Sequence, residues 1–290
     1  MTITGHGDAR KSHDSDAFCC GGHIKGIGRI ADGTAECQKA VREEIRAGAD
    51  FIKIMCSGGV ASPTDSLESV QYTAKEIRTM TTIATNMGTY VTAHAYTPAS
   101  IKQAVENGVR GIEHGNLIDK ETAELMASKG AFLTPTLVTY DTMASPEFDG
   151  FLGPSNTVKN SEVLKIGLKS LKLAHEAGVT MCYGSDLLGP MGYTQTREFA
   201  LRRQVLDAKT VLQSCTVNAA KLLRRENDFG QIEKGFMADI LILTKNPLED
   251  IEVLDRQKEC LLAVIKDGRV YSSRWSKLPT DVRRVVDLIE

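Results

Sequence analysis

The chain has 290 residues, 42% apolar and 25% charged, the balance of one large globular α/β domain or two ordinary ones. A net charge of −2 supplies no basic field for nucleic acid or an acidic membrane surface, and no apolar run reaches the roughly 18 residues of a membrane-spanning helix. The seven cysteines are scattered, odd in number and without a Cys-x-x-Cys, a usage that points to a reduced, cytoplasmic protein.

The first residues, MTITGHGDARKSHDSD, have no apolar core of a signal peptide. Residues 11–35 are rich in Gly, Ser and Asp and read as a long loop. From there one pattern recurs. A helical segment ends in Gly, and a short apolar strand follows at once. The instances are EEIRAGADFIKIM, ATNMGTYVTAHAY, AVENGVRGIEHG, MASKGAFLTPTL and AHEAGVTMCYGSD. Gly48, Gly88, Gly108, Gly130 and Gly178 each fit the left-handed position that closes a helix. The strands begin near residues 51, 90, 110, 131 and 180, and the end of a sixth is expected at Thr2–Thr4. Helices alternating with apolar strands mean βα units around a parallel sheet. Residues 141–160 read as a second long loop. Residues 196–224 read as helices. FGQIEKGFMADILIL and CLLAVIKDGRVYSS then read as strands joined at Asn246-Pro247 and Asp267-Gly268. The expected division is a barrel-type domain with terminal helices over 1–227, a small β element over 228–273, and a charged tail over 274–290.

The polar residues of the βα region gather at the carboxyl ends of the strands, the face where parallel α/β folds build active sites. Lys53, His94, His114 and Asp186 each end one strand. Taken singly, each has a plain structural explanation. Lys53 could snorkel to water, a histidine could be a hydrogen-bonded core residue, and Asp186 could cap a helix. Taken together, four groups able to ligate a metal sit on one face of one repeat. Lys53 is the anomaly, because an ammonium repels a cation and is costly to bury. A deprotonated lysine amine can take up carbon dioxide as a carbamate, which is anionic and offers two oxygens. Burial, which disfavours the charged amine, promotes that reaction.

The motifs TGHGD at 4–8, GADFIKIMCSGG at 48–59, VTAHAY at 91–96, GIEHG at 111–115, TPTL at 134–137, YGSD at 183–186, TVNAAKLL at 216–223 and GQIEKGFMADILIL at 230–243 resemble the amidohydrolase superfamily. Within it they look like the imidazolonepropionase-like and Xaa-Pro dipeptidase-like branch, ochratoxinase-like enzymes included. The resemblance implies a partial (β/α)8 TIM-type barrel, about strands 3–8, followed by half of a small β-sandwich. It implies a carboxylated Lys53 bridging divalent metals, usually zinc. His94 and His114 would ligate one metal, and Asp186 the other while accepting a proton. The substrates it implies are small amides, N-acyl amino acids and dipeptides. His6, Asp8, Tyr96 and Tyr140 are weaker candidates for substrate contact, and Ser57, Gly58 and Gly59 form a loop that lets a substrate approach closely.

The superfamily also carries a His-x-His at the end of its first barrel strand. This chain has six histidines, His6, His13, His23, His94, His114 and His175, and no two are two residues apart. The expectation is therefore a chain truncated at its amino terminus, with one metal or none, and an open barrel edge that invites oligomers. A secreted form stays open if a leader is missing. The competing expectation is an inactive fragment or pseudoenzyme that only binds a partner.

Overall fold

The computed structural model describes residues 1–4, 6, 28–62 and 64–281. Asp8, His13, His23 and most of the expected loop over 11–35 lie outside the described residues. The chain forms two compact units, Met1–Thr194 and Gln195–Glu290. This division falls earlier than the 227/228 boundary drawn from the sequence, so the helices after residue 196 cluster with the small β element.

In the first unit the elements are α1 (Gly33–Arg46), β1 (Ile52–Met55), α2 (Ala74–Asn86), β2 (Val91–Ala95), α3 (Pro98–Glu106), β3 (Gly111–His114), α4 (Lys120–Ser128), β4 (Phe132–Thr134), α5 (Leu137–Met143), α6 (Pro154–Glu176) and β5 (Thr180–Met181). All five strands are parallel, and their order across the sheet is β1-β2-β3-β4-β5. Each strand pairs with its sequence neighbour and the direction of winding never reverses. That is the wall of a (β/α) barrel, whereas a doubly wound sheet changes direction at a switch point. The five helix-ending glycines all have positive φ, from 63° at Gly130 to 103° at Gly48. They stop each helix where the next strand must begin. At the opposite helix ends Thr73 and Glu76 form a capping box, and Thr97 and Asp119 each accept a backbone N–H.

Two sequence expectations need correction here. The strand expected at Thr2–Thr4 is reduced to one parallel bridge between Thr2 and Ile30. The Met1 amine donates to the Lys53 carbonyl, and the Met55 N–H donates to the Met1 carbonyl at 3.0 Å, so this short segment lines the edge of β1. The loop expected over 141–160 is partly helix. Pro154 opens α6 at its first position, where a missing N–H costs nothing.

The hydrophobic core lies between sheet and helices. Ile54, Ile77, Met80, Ile101, Ile112 and Met126 are fully buried there. At the amino-terminal end of the strands the Arg110 guanidinium packs over the rings of Tyr90 (5.6 Å) and Phe132 (4.9 Å), closing the end opposite the polar residues. Ile112→Ala, at a position with no exposure in a central strand, is expected to cost about 2–5 kcal/mol of stability. Denaturant unfolding of the variant checks it, and a loss below about 1 kcal/mol would mean that β3 is not a core strand.

The second unit holds α7 (Arg197–Arg203), α8 (Ala208–Cys215), α9 (Val217–Leu222) and an antiparallel sheet of β6 (Ile240–Leu243), β7 (Leu261–Lys266) and β8 (Arg269–Ser273). The β reading from residue 228 starts too early. Gly230 and Gly235, at φ 92° and 96°, put turns where the apolar pattern suggested strand. Among the described residues no helix is long and apolar enough to cross a membrane.

Candidate active site

Parallel strands deliver their last residues to one end, and here that end holds a cavity of about 370 Å3. Lys53, His94, His114, Asp186, His6, Tyr96 and Tyr140 all line it. Of the loop candidates Ser57, Gly58 and Gly59, only Gly59 joins them on the lining. In β1 the alternation works simply. Ile52 and Ile54 face the core, while Lys53 and Met55 are half-buried and line the cavity. In β3 simple alternation would send Glu113 and His114 to opposite faces. His114 has φ 77°, a left-handed backbone that breaks the alternation at the strand's end. Thr136 (φ 46°) and Asp186 (φ 49°) are left-handed as well. Such conformations cost of order 1–3 kcal/mol each, and here His114 and Asp186 line the cavity while Thr136 hydrogen-bonds His114.

The hydrogen bonds assign a nitrogen to each histidine. His94 Nε2 lies 3.1 Å from the Gly58 carbonyl oxygen. A carbonyl only accepts, so Nε2 carries the proton and Nδ1 keeps its lone pair. His114 Nδ1 is engaged by the Thr136 hydroxyl at 2.7 Å and the Tyr140 hydroxyl at 2.8 Å. Its Nε2 points the other way, 3.7 Å from Asp186 Oδ2. The Tyr140 hydroxyl also meets the Tyr96 hydroxyl at 2.7 Å, and the Tyr96 ring stacks on His114 with centroids 4.9 Å apart. The two imidazoles themselves are 4.6 Å apart, centroid to centroid.

Burial holds both histidines well below the ordinary imidazole pKa of 6.5; at His94 the neighbouring His114 and Lys53 add to the effect, and at His114 Lys53 does. Both are therefore neutral at neutral pH, the state in which imidazole binds a cation. A consequence for stability follows with a definite sign. As pH falls through about 6.5 the unfolded chain takes up protons at these positions and the folded chain does not. The metal-free protein should lose up to about 1.4 kcal/mol per pH unit for each histidine, until the folded chain also protonates. Denaturant midpoints between about pH 7.5 and 5.5 test this, and midpoints flat across that window would contradict neutral burial.

The remaining candidates differ in placement. Asp186 is 46% exposed and stands at the rim. His6, read from the sequence as a weaker loop residue, is buried, 3.7 Å from Asp65 and edge-on to His94 at 5.9 Å between centroids. Val60, Met55, Met143 and Leu188 give the cavity an apolar wall. Among the described residues no three His, Cys, Asp or Glu side chains are gathered as a ready metal cage. Lys53, His94, His114 and Asp186 do line one cavity, with the two imidazole centroids 4.6 Å apart and His114 Nε2 3.7 Å from Asp186 Oδ2. Both rings are neutral and each is fixed through one nitrogen, the state in which an imidazole could hold a cation through the other.

Sequence reasoning passed over three residues here. Glu113 is half-buried in β3, its carboxyl pKa pushed up by desolvation while the Lys53 charge and a Thr134 hydrogen bond oppose the shift. The same question that singled out Lys53, why a core strand carries a charge, would have found it. Thr136 and Asp65 gave no such signal.

Residues 3–271 match the profile of the amidohydrolase family. The chain belongs to the amidohydrolase family. Among curated proteins, the ochratoxinase of Aspergillus niger is 32% identical over 244 residues, covering 83% of this chain and 50% of the enzyme. Among solved structures, a prolidase complexed with N-methylphosphonate-L-proline is 44% identical with a TM-score of 0.82, covering 86% of this chain and 61% of that one. A Xaa-Pro dipeptidase with bound methionine is 33% identical with a TM-score of 0.77, covering 84% and 60%. The chain thus spans about half the length of that curated relative. For an amidohydrolase, a cavity at the carboxyl ends of parallel strands is the expected location of the chemistry.

Proposed function

We propose that this amidohydrolase is metal-dependent and cleaves the carbon–nitrogen bond of a small amide, an N-acyl amino acid or a dipeptide. The observation that carries the reading is the pair of neutral, outwardly tethered imidazoles beside a strand lysine. His94 through Nδ1 and His114 through Nε2 would hold the cation, zinc by preference for this donor set. Lys53 would join them after its amine attacks carbon dioxide; the new N–C bond replaces an N–H, and the lysine becomes an anionic oxygen donor. A cation held there lowers the pKa of a bound water and polarises a carbonyl.

The chain's own groups do the rest. Asp186, exposed at the rim and close to His114, is placed to accept a proton and return it to a leaving nitrogen. Tyr96, Tyr140 and His6 present polar atoms to a bound substrate, and Val60, Met143 and Leu188 exclude water from its apolar part. The cavity falls in the range of about 300–1,000 Å3 common for small-molecule sites. The names of the relatives, a prolidase and a Xaa-Pro dipeptidase among them, support amides and dipeptides as the substrate class.

The test is hydrolysis of N-acyl amino acids and Xaa-Pro dipeptides by zinc-loaded protein and by Lys53→Ala. Turnover that is lost in the variant supports the reading, and equal turnover by both proteins contradicts it. A second reading rests on the missing His-x-His: a chain that holds a cation without turning over amides. Zinc binding through His94 and His114 with no hydrolysis of any of these substrates would favour it.

A further inference from the structure

The segment that follows β1 closes over the cavity, and its carbonyl groups converge on a single side chain. Lys159 of α6 sends its ammonium to the backbone oxygens of Gly59 (3.2 Å), Ser62 (2.7 Å) and Asp65 (2.5 Å). An ammonium has three protons, and three carbonyls receive them. The loop is drawn tight around this point. The Ser62 N–H donates back to the Gly59 carbonyl at 3.3 Å, and the Gly59 N–H donates to the Asp65 carboxylate at 3.2 Å. A β-carbon on Gly58 would sit 2.1 Å from the Ser66 carbonyl oxygen, so the turn closes only around glycine. One turn back on α6, the Asn156 amide donates to the Ala61 carbonyl at 3.2 Å. Burial lowers the Lys159 pKa, and the Asp65 charge opposes that shift.

The loop matters because of what hangs on it. Gly59, Val60, Ala61 and Ser62 form one wall of the cavity, and the carbonyl of Gly58 holds His94 Nε2. We propose that the carbonyls of Gly59, Ser62 and Asp65 form a cage for a monovalent cation of ammonium type, that the Lys159 ammonium is its built-in occupant, and that Lys159 is the positioning residue that keeps this wall closed. Rings of backbone carbonyls bind desolvated monovalent cations in this way elsewhere. In this protein the charge comes from a helix one hundred residues further along the chain. The cage stands independently of whether the site beside it holds a metal; only its consequence for substrate rests on the proposed function.

Amide hydrogen exchange at Gly59 and Ser62 reads the cage directly, because both N–H groups are bonded inside it. In the full-length Lys159→Ala protein their exchange should accelerate by about tenfold or more, as the loss of one charge-assisted hydrogen bond would give. Ammonium chloride should slow it again, while tetramethylammonium chloride, with the same charge and no N–H, should not. Asn156→Ala should also loosen the loop, without rescue by ammonium. Unchanged exchange in Lys159→Ala, or equal rescue by both salts, would overturn the proposal. If Lys159→Ala fails to fold, acetic anhydride labelling of the unaltered protein decides. Lys159 should resist acylation while the exposed Lys39 and Lys120 react, and labelling of Lys159 at their rate would overturn the proposal.

Discussion

His114→Ala is expected to lower zinc affinity by about 100-fold or more, and any amide turnover with it. His114 stands between two sets of contacts. Its Nδ1 is pinned by Thr136 and Tyr140, its ring is stacked on Tyr96, and its Nε2 is presented toward Asp186. The left-handed backbone at φ 77° exists to aim it. Removing the imidazole deletes one donor from a small set. Removing only its support should do less. Thr136→Val and Tyr140→Phe each leave the ring in place but loosen its tautomer and angle, and should cost about 10–100-fold in metal affinity. Competition titration with a zinc chelator checks the series. Equal affinity for all four proteins would mean that His114 is not a ligand.

The second large effect is a loss of stability. Glu198→Ala should destabilise the second unit by about 3–5 kcal/mol. Glu198 and Arg202 lie one turn apart on α7, both with no solvent exposure, and the Arg202 Nε donates to the Glu198 carboxylate at 2.7 Å. Arg202 also donates to the Ser214 hydroxyl at 3.1 Å, tying α7 to α8. Truncating the carboxylate takes a charge-assisted partner from a buried guanidinium, and that loss at a desolvated charge is the main cost. Replacing both residues by methionine removes the charge with its partner and should cost much less, a contrast that separates electrostatics from packing. Denaturant unfolding of the two variants makes the comparison. A single variant no less stable than the double one would show that the pair is not buried in the folded state.

Much of the fold was legible because its signals are local. Each helix-closing glycine and the apolar run behind it sit within a few residues of each other, and the five strands begin at 52, 91, 111, 132 and 180, within a residue or so of where the sequence put them. Strand ends carry the chemistry in a parallel barrel wall, so Lys53, His94, His114 and Asp186 could be grouped from sequence. The groups that aim them could not. Thr136 reaches His114 from the next strand's end, and Lys159 reaches Gly59 from α6, contacts that only the folded chain creates. Helix α6 was partly missed because Gly153 and Pro154 look like loop, although a proline at the first helical position is a start signal. Over residues 228–239 the apolar content suggests strand, but Gly230 and Gly235 take positive φ and turn the backbone before β6 begins.

The central claim is that Lys53, His94 and His114 bind one divalent cation. Equilibrium dialysis of the purified protein against zinc and labelled bicarbonate, read out as bound zinc and as a carbamate carbon signal, tests it most directly. The account predicts one zinc per chain together with a carbamate on Lys53, both lost in His94→Ala and the carbamate absent in Lys53→Ala. Zinc held equally well by His94→Ala, His114→Ala and the unaltered chain, or no zinc held by any of them, would contradict it.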